Sequence, residues 1–259
     1  MDHEPQHGRI DVVTIGTLRP DILEFTLLSF HRKFLRQFQR ARLIINIDPI
    51  GDERRSTDDV LRICAKYFSE ITHRCPDQPH FATAVKWAWE QVETEIFLHL
   101  EDDWLLKRNV DATRIVRGFE ADPDLASLRF NLTRNPSRGP LYFQGPSLNP
   151  SVIRRRFLEE VLPFFSPHLD PEKQYTYPND ARREVLAHWR HILYGEPGEA
   201  SYVLDIGKKW RRFHGFAKWQ PGSGELSWRK TPVPPLRKTW YALKHAAFSR
   251  YLQYLAGRG

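Results

Sequence analysis

Three acidic side chains stand in a row directly behind an apolar stretch: Glu101-Asp102-Asp103 follows IFLHL at 96–100. Carboxylates held this close repel and raise one another's pKa values, so the arrangement is costly unless something positive joins it. A divalent cation meets that need, because Mg²⁺ and Mn²⁺ take carboxylate oxygens together with ligand phosphate oxygens. A solvated acidic turn is the other reading of the same three residues. A further aspartate, Asp48, likewise closes an apolar stretch, LIINI at 43–47.

The elements that must position these carboxylates follow from periodicity. The β-branched run at 10–15, closed by Gly16, predicts a buried first strand. Pro20 suits the first turn of a helix whose inner face is Leu23, Leu27, Phe30 and Phe34. The run at 43–47 predicts a second strand, and Ser56 with Asp59 caps a helix carrying Val60, Ile63, Cys64 and Phe68. A helix over 81–92 turns Val85, Ala88, Trp89 and Val92 inward and leads to the strand at 96–100. Such alternation predicts a mainly parallel sheet flanked by helices, with ligands beyond the carboxyl ends of the strands, where Asp48 and the acidic triplet lie.

Farther along, the patterns predict a helix over 111–119, a strand over 125–132 and a Pro/Gly-rich loop around Pro136, Gly139, Pro140, Gly145 and Pro146 that could grip an acceptor. Helices follow over 152–161 and 180–193, and a strand over 202–206. Residues 221–235 read as a linker. Over 236–259, Trp240, Leu243, Lys244, Ala247, Phe248, Tyr251, Leu252 and Leu255 fall at helical spacing in a basic amphipathic helix. The domain plan is therefore one unit at 1–220, divided near residue 106, then linker and helix.

The chain has 259 residues and a formal net charge of +7, with hydrophobic residues at 41%, enough for a real core. The charge is uneven: 208–259 carries +11 and the rest −4. This points to an anionic partner for the tail: a membrane surface, a nucleic acid or phosphorylated glycans. Residues 1–9 are polar and mixed in charge, and no apolar run reaches the roughly 18 residues needed to span a bilayer, so the expected location is the cytoplasm, at most peripheral at the inner face of the membrane. Cys64 and Cys75 form no CxxC pair and are expected to be reduced thiols.

The order IDVVTIGTLRPDILEFTLLSF, LIINIDPIGD and HFATAVKWAWEQVETEIFLHLEDDW, over residues 10–106, resembles the amino-terminal half of GT-A (Rossmann-like) glycosyltransferases, especially those similar to family 2. The resemblance implies Thr17 and Arg19 beside the nucleotide, with Gly16 where the family has proline. It implies Asp48 on the base, although the Asp-Asp-Gly-Ser run is absent, and Lys86 near the phosphates, unless that lysine merely faces solvent. The DxD-type motif falls on Glu101-Asp102-Asp103, with Asp103 on the metal, Mn²⁺ or Mg²⁺, and Asp102 on the ribose or the metal. Trp104 is then core or an acceptor-stacking residue.

For the base of an inverting transfer, Asn179-Asp180 resembles the family's element, helix capping being the alternative reading of Asp180, and Asp170 is the reserve. In YVLDIGKKWRRFHG, Asp205 takes the place of the family's metal-side histidine, with His214 as second option. Lys208, Lys209, Arg211 and Arg212 hold the diphosphate or form a solvated basic face. The implied reaction moves a sugar from a nucleoside diphosphate sugar to a glycan or lipid-linked acceptor. A sugar-phosphate nucleotidyltransferase would want a longer Gly-rich loop than Gly16-Thr17-Leu18-Arg19, and a nucleic-acid-binding module is disfavoured because the acidic triplet repels phosphates, so no nucleic-acid partner is expected.

Overall fold

The structure, a computed structural model, describes residues 7–138, 145–176, 183–184, 186–219, 227–230 and 235–257. Eleven strands are described: β1 (His7–Leu18), β2 (Phe38–Gly51), β3 (Glu70–Arg74), β4 (Ile96–Glu101), β5 (Trp104–Leu106), β6 (Leu125–Arg129), β7 (Ser151–Arg154), β8 (Arg190–Leu193), β9 (Val203–Asp205), β10 (Phe216–Trp219) and β11 (Ser227–Lys230). The described helices are α1 (Pro20–Lys33), α2 (Thr57–Cys64), α3 (Phe81–Glu90), α4 (Ala112–Ala121), α5 (Arg155–Val161), α6 (Lys173–Thr176), α7 (Gly207–His214) and α8 (Pro235–Gly257).

β1 and β2 are apolar along both faces, which suits the middle of a covered parallel sheet. Seven strands pair in the order β3-β2-β1-β4-β7-β6-β8. Within it β7 runs antiparallel to both neighbours, and the other pairings are parallel. Successive residues of β1 point to opposite faces: Ile10 and Val12 meet Leu23, Leu27 and Phe30 of α1, whereas Val13 and Ile15 meet Val85, Ala88 and Trp89 of α3. The mainly parallel, helix-flanked sheet is the architecture the sequence predicts. At its foot, Arg42 donates to both oxygens of buried Asp11 at 2.9 and 2.8 Å, and Asp11 also accepts the backbone N–H groups of Glu93 and Thr94. Burial alone would raise the Asp11 pKa, but these bonds outweigh it and hold the carboxyl below its usual value.

Two sequence expectations need correction, and one strand is added. The helix expected over 152–161 begins only at Arg155, because Val152 and Ile153 are inserted as β7 between β4 and β6. Of the helix expected over 180–193, the last four residues form β8, and residues 177–182 and 185, Asp180 among them, lie outside the described residues. β3 was not predicted; it is a half-exposed edge strand with little apolar content.

The terminal helix α8 is docked on the domain. Phe248, Leu252 and Ala256 join Ile22, Leu105, Ile206 and Trp210 in a third apolar cluster, and Lys33 Nζ donates to the carbonyls of Leu255 and Ala256, both at 3.1 Å. Inside the expected linker, β11 pairs with β10 as a hairpin. Among the described residues no helix is long and apolar enough to cross a membrane.

Candidate active site

The carboxyl ends of β1, β2 and β4 open on a cavity of about 370 Å³, which β9, α7 and the segment before α6 complete. Thr17, Arg19, Asp48, Glu101, Asp102, Asp103, Trp104, Asp170, Asp205, Lys208 and Arg211 all line it. Strand ends and α7 thus bring residues from Ile15 to Arg211 to one cavity.

Asp102 sits deepest. Its backbone N–H donates to Ile15 at 3.2 Å and its carbonyl accepts the Thr26 hydroxyl at 2.8 Å. One carboxylate oxygen takes the Thr17 backbone N–H at 3.0 Å and the Thr17 hydroxyl at 2.9 Å, and the other takes Arg19. Burial, and the adjacent Asp103 charge, push the Asp102 pKa upward, against the pull of Arg19 and Thr17. Arg19 is itself 2% exposed. Its Nε donates to the Thr17 hydroxyl at 2.7 Å, both terminal nitrogens reach Asp103 at 3.3 Å, and the guanidinium lies 5.4 Å from the Trp210 ring centre. Arg19 is therefore the internal counter-ion of the aspartate pair on the cavity wall.

Asp103 Oδ2 also accepts Arg211 at 3.3 Å, and its carbonyl accepts the Ile206 N–H at 2.9 Å. That bond continues the antiparallel pairing of β5 with β9, in which Trp104 faces Asp205. Asp205 accepts the Lys208 backbone N–H at 3.1 Å at the start of α7. Across the cavity Asp48 accepts Asn46 Nδ2 at 2.8 Å, and burial raises its pKa in spite of that bond. Asp170 accepts the N–H groups of Glu172 and Lys173, at 3.0 and 2.9 Å, while facing the cavity.

No protein-family model matches the chain, and no curated protein does. Among solved structures it is similar to the mannosyltransferase PcManGT from Pyrobaculum calidifontis, in complex with GDP-Man and Mn²⁺, at a TM-score of 0.55 and 12% identity over 98% of this chain and 74% of that one. It is similar to S. aureus TarS 1-349 at a TM-score of 0.52 and 12% identity, over 78% of this chain and 61% of that one. Against the longer TarS structure the TM-score is 0.51, again at 12% identity and over 78% of this chain. This chain is a GT-A fold. It spans 61% and 37% of the two TarS chains, and at such identities the likeness concerns the fold alone.

Within the GT-A domain, some expected site residues stand elsewhere. Lys86 does not line the cavity; it pairs with Glu90 one turn along α3. His214 stacks on Trp210 with ring centres 4.0 Å apart, and lines a separate cavity of about 220 Å³ with Asp52 and Arg54. His214 and Lys86 therefore both stand outside the lining of the cavity that holds the acids. Lys209 lies over the Phe248 ring and Arg212 is exposed, both on the outer side of α7, whereas Lys208 and Arg211 face inward. Glu172 also lines the cavity, and nothing in the periodicity around it marked it. Trp104 is 6% exposed, and its Nε1 has no hydrogen-bond partner among the described residues.

The wall suits a divalent cation in a restricted way. Thr17 and Arg19 engage both carboxylate oxygens of Asp102, so any metal contact that it makes competes with these bonds. Among the described residues no three acidic, histidine or cysteine side chains converge as a ready-made cage. Asp103 and Asp205, neighbours through the β5–β9 pairing, and Glu101 on the same wall offer further carboxylate oxygens, with one oxygen of Asp103 accepting Arg19 and Arg211. Mg²⁺-type ions are commonly held by one or two carboxylates and completed by substrate phosphates and water, so this all-oxygen donor set fits one.

Proposed function

We propose that the chain is a metal-dependent glycosyltransferase that moves a sugar from a nucleoside diphosphate sugar to an acceptor hydroxyl of a glycan or lipid-linked glycan, with inversion. The observation that carries this reading is the charge of the cavity. Seven carboxylates (Asp48, Glu101, Asp102, Asp103, Asp170, Glu172 and Asp205) line it against three cations, Arg19, Lys208 and Arg211. A surface of that sign repels a bare diphosphate and accepts one that arrives with a divalent cation.

Asp103 and Asp205, with Glu101 beside them, are the residues that would hold Mn²⁺ or Mg²⁺. When bound, the ion supplies charge neutralisation at the leaving diphosphate. Thr17 orients Asp102, Asp102 anchors Arg19, and Arg19 steadies Asp103. Asp48, at the end of β2, takes the nucleobase. Lys208 and Arg211 sit on one helix above the acids, where they stabilise the negative charge that grows as the glycosidic bond breaks. The acceptor proton goes to a carboxylate facing the cavity; Asp170 has that position, and Asp180 is the alternative supplied by the sequence.

A thermal-shift screen of UDP, GDP, CDP and dTDP sugars with and without Mn²⁺ tests the reading, because a ligand that binds the native state raises the melting temperature by mass action. A metal-dependent shift with one nucleotide class, abolished in Asp103→Ala, is expected. The absence of any shift across the four classes would overturn the proposal.

A further inference from the structure

The terminal helix carries two apolar stripes, and only one of them is used by the domain. Phe248, Leu252 and Ala256, four residues apart, are buried against α1, β5 and α7. Trp240, Leu243, Ala247 and Tyr251, spaced three, four and four, form the second stripe, centred roughly 130° around the helix from the first at 3.6 residues per turn. Trp240 is 55% exposed, Leu243 62% and Tyr251 50%. Lys244 extends along this stripe with its Nζ 4.7 Å from the Trp240 ring centre, and exposed Arg250 flanks it. There is no acidic residue anywhere in 235–257.

We infer that this outward stripe is a docking face for an anionic lipid surface, with Trp240, Leu243 and Tyr251 entering the headgroup region and Lys244 and Arg250 pairing with lipid phosphates. The combination is what such an interface selects: amphipathic rings, one aliphatic anchor, and cations with no compensating acid. A second copy of the chain is a poorer occupant, because a two-fold contact through this face would set Lys244 and Arg250 against their own equivalents. The free stripe also explains a helix whose apolar residues outnumber the positions its domain contact can bury.

Rigid docking adds a consequence that a loose tether would not have. One side of α7 presents Lys208 and Arg211 to the cavity, while Trp210 pairs with the α8 cluster and Phe213 lies 6.0 Å from Phe248. A single helix, about 8–10 Å between axes, therefore separates the cavity from the lipid-facing helix. If the transferase reading holds, the acceptor is one presented at the membrane surface; the docking itself does not depend on that reading.

Vesicle co-sedimentation of the full chain at low salt tests the inference, with phosphatidylcholine vesicles made with and without phosphatidylglycerol. Binding to the anionic vesicles only is expected. The triple variant Trp240→Ser, Leu243→Ser, Tyr251→Ser should lose it while melting as the wild type does. Lys244→Gln with Arg250→Gln should weaken it about fivefold for each cation removed, and added salt should do the same. The thermal shift by nucleotide sugar should be unchanged in both variants, which separates this test from that of the transferase reading. A wild-type chain that ignores the anionic vesicles, or a triple variant that binds them as well as wild type, would overturn the proposal. So would a triple variant whose only change is loss of self-association in analytical ultracentrifugation.

Discussion

Gly207 stands so close to Asp103 that a Cβ placed on it would lie 1.9 Å from the carboxylate oxygen Oδ2. The first residue of α7 thereby fixes how near Lys208 and Arg211 can come to the acids at the end of β4. Its backbone conformation is ordinary, so space alone demands glycine here. Gly207→Ala is expected to push α7 away, cost about 1–3 kcal/mol through overpacking, and lose the metal-dependent thermal shift with donor. Gly118→Ala is the matching control, since nothing lies within 4 Å of its Cβ position in α4 and helix propensity favours the change by up to about 1 kcal/mol. Chemical denaturation and donor titration of both variants check the pair.

The two aspartates should separate in a stability and activity assay. Asp102→Asn removes the charge that Thr17 and Arg19 surround, and is expected to cost on the order of 2–3 kcal/mol, the scale of buried hydrogen bonds to charged groups. Asp103→Asn leaves that anchor in place and is expected to melt nearer the wild type while losing turnover. Parallel melting curves and donor turnover read both effects. The opposite pattern would show that Asp103, not Asp102, is the structural member.

Lysine position, more than lysine number, is expected to set the response to charge removal. Lys86→Ala should leave kcat and KM for the donor near wild type, because its partner is Glu90 and it lies outside the cavity. Arg211→Ala removes a cation that lines the cavity and, on the proposed reading, should lower kcat by about 10²- to 10³-fold. Steady-state kinetics of the two variants, side by side, decide this.

Acid should unfold the domain through two buried histidines. Burial holds both His99 and His191 down to about 3. Below the unfolded value of about 6.5 the unfolded chain binds protons that the folded chain refuses, so stability is lost as pH falls from about 6.5 toward 3 and is untouched above that range. Each histidine left neutral accounts for about 2 kcal/mol between pH 6.5 and 5. His99→Gln, which can still accept the Trp89 Nε1 bond, should flatten the urea-measured stability between pH 7 and 5; an unchanged slope would assign the acid sensitivity elsewhere.

The strands that place the site were legible because their signal is local. The apolar runs at 10–15, 43–47 and 96–100 form the middle of the sheet, and the Ser56–Asp59 capping box closes as its spacing indicated. Asp48 and the 101–103 triplet reach the carboxyl edge for the same reason: a parallel strand delivers whatever follows it to that edge. β7 was not legible, since a short apolar segment fits a strand or a helix until its neighbours are known. Glu172 and the inward turn of Lys208 and Arg211 were not legible either, because their orientation depends on contacts with chain far away in sequence.

What the sequence by itself determined is the alternation of strands and helices, the position of the acids at strand ends and the excess of positive charge in the tail, all of which follow from residue type and spacing over a few turns. Only the tertiary structure decided how the two aspartates differ. Asp102 and Asp103 are neighbours of one kind in the chain, yet Thr17 and Arg19, more than 80 residues away, enclose the first, whereas the second is shared between Arg19 and Arg211 from α7. The division of the terminal helix into a buried and an exposed apolar stripe is of the same nature: one helical period carries both, and only packing against α1, β5 and α7 selects between them.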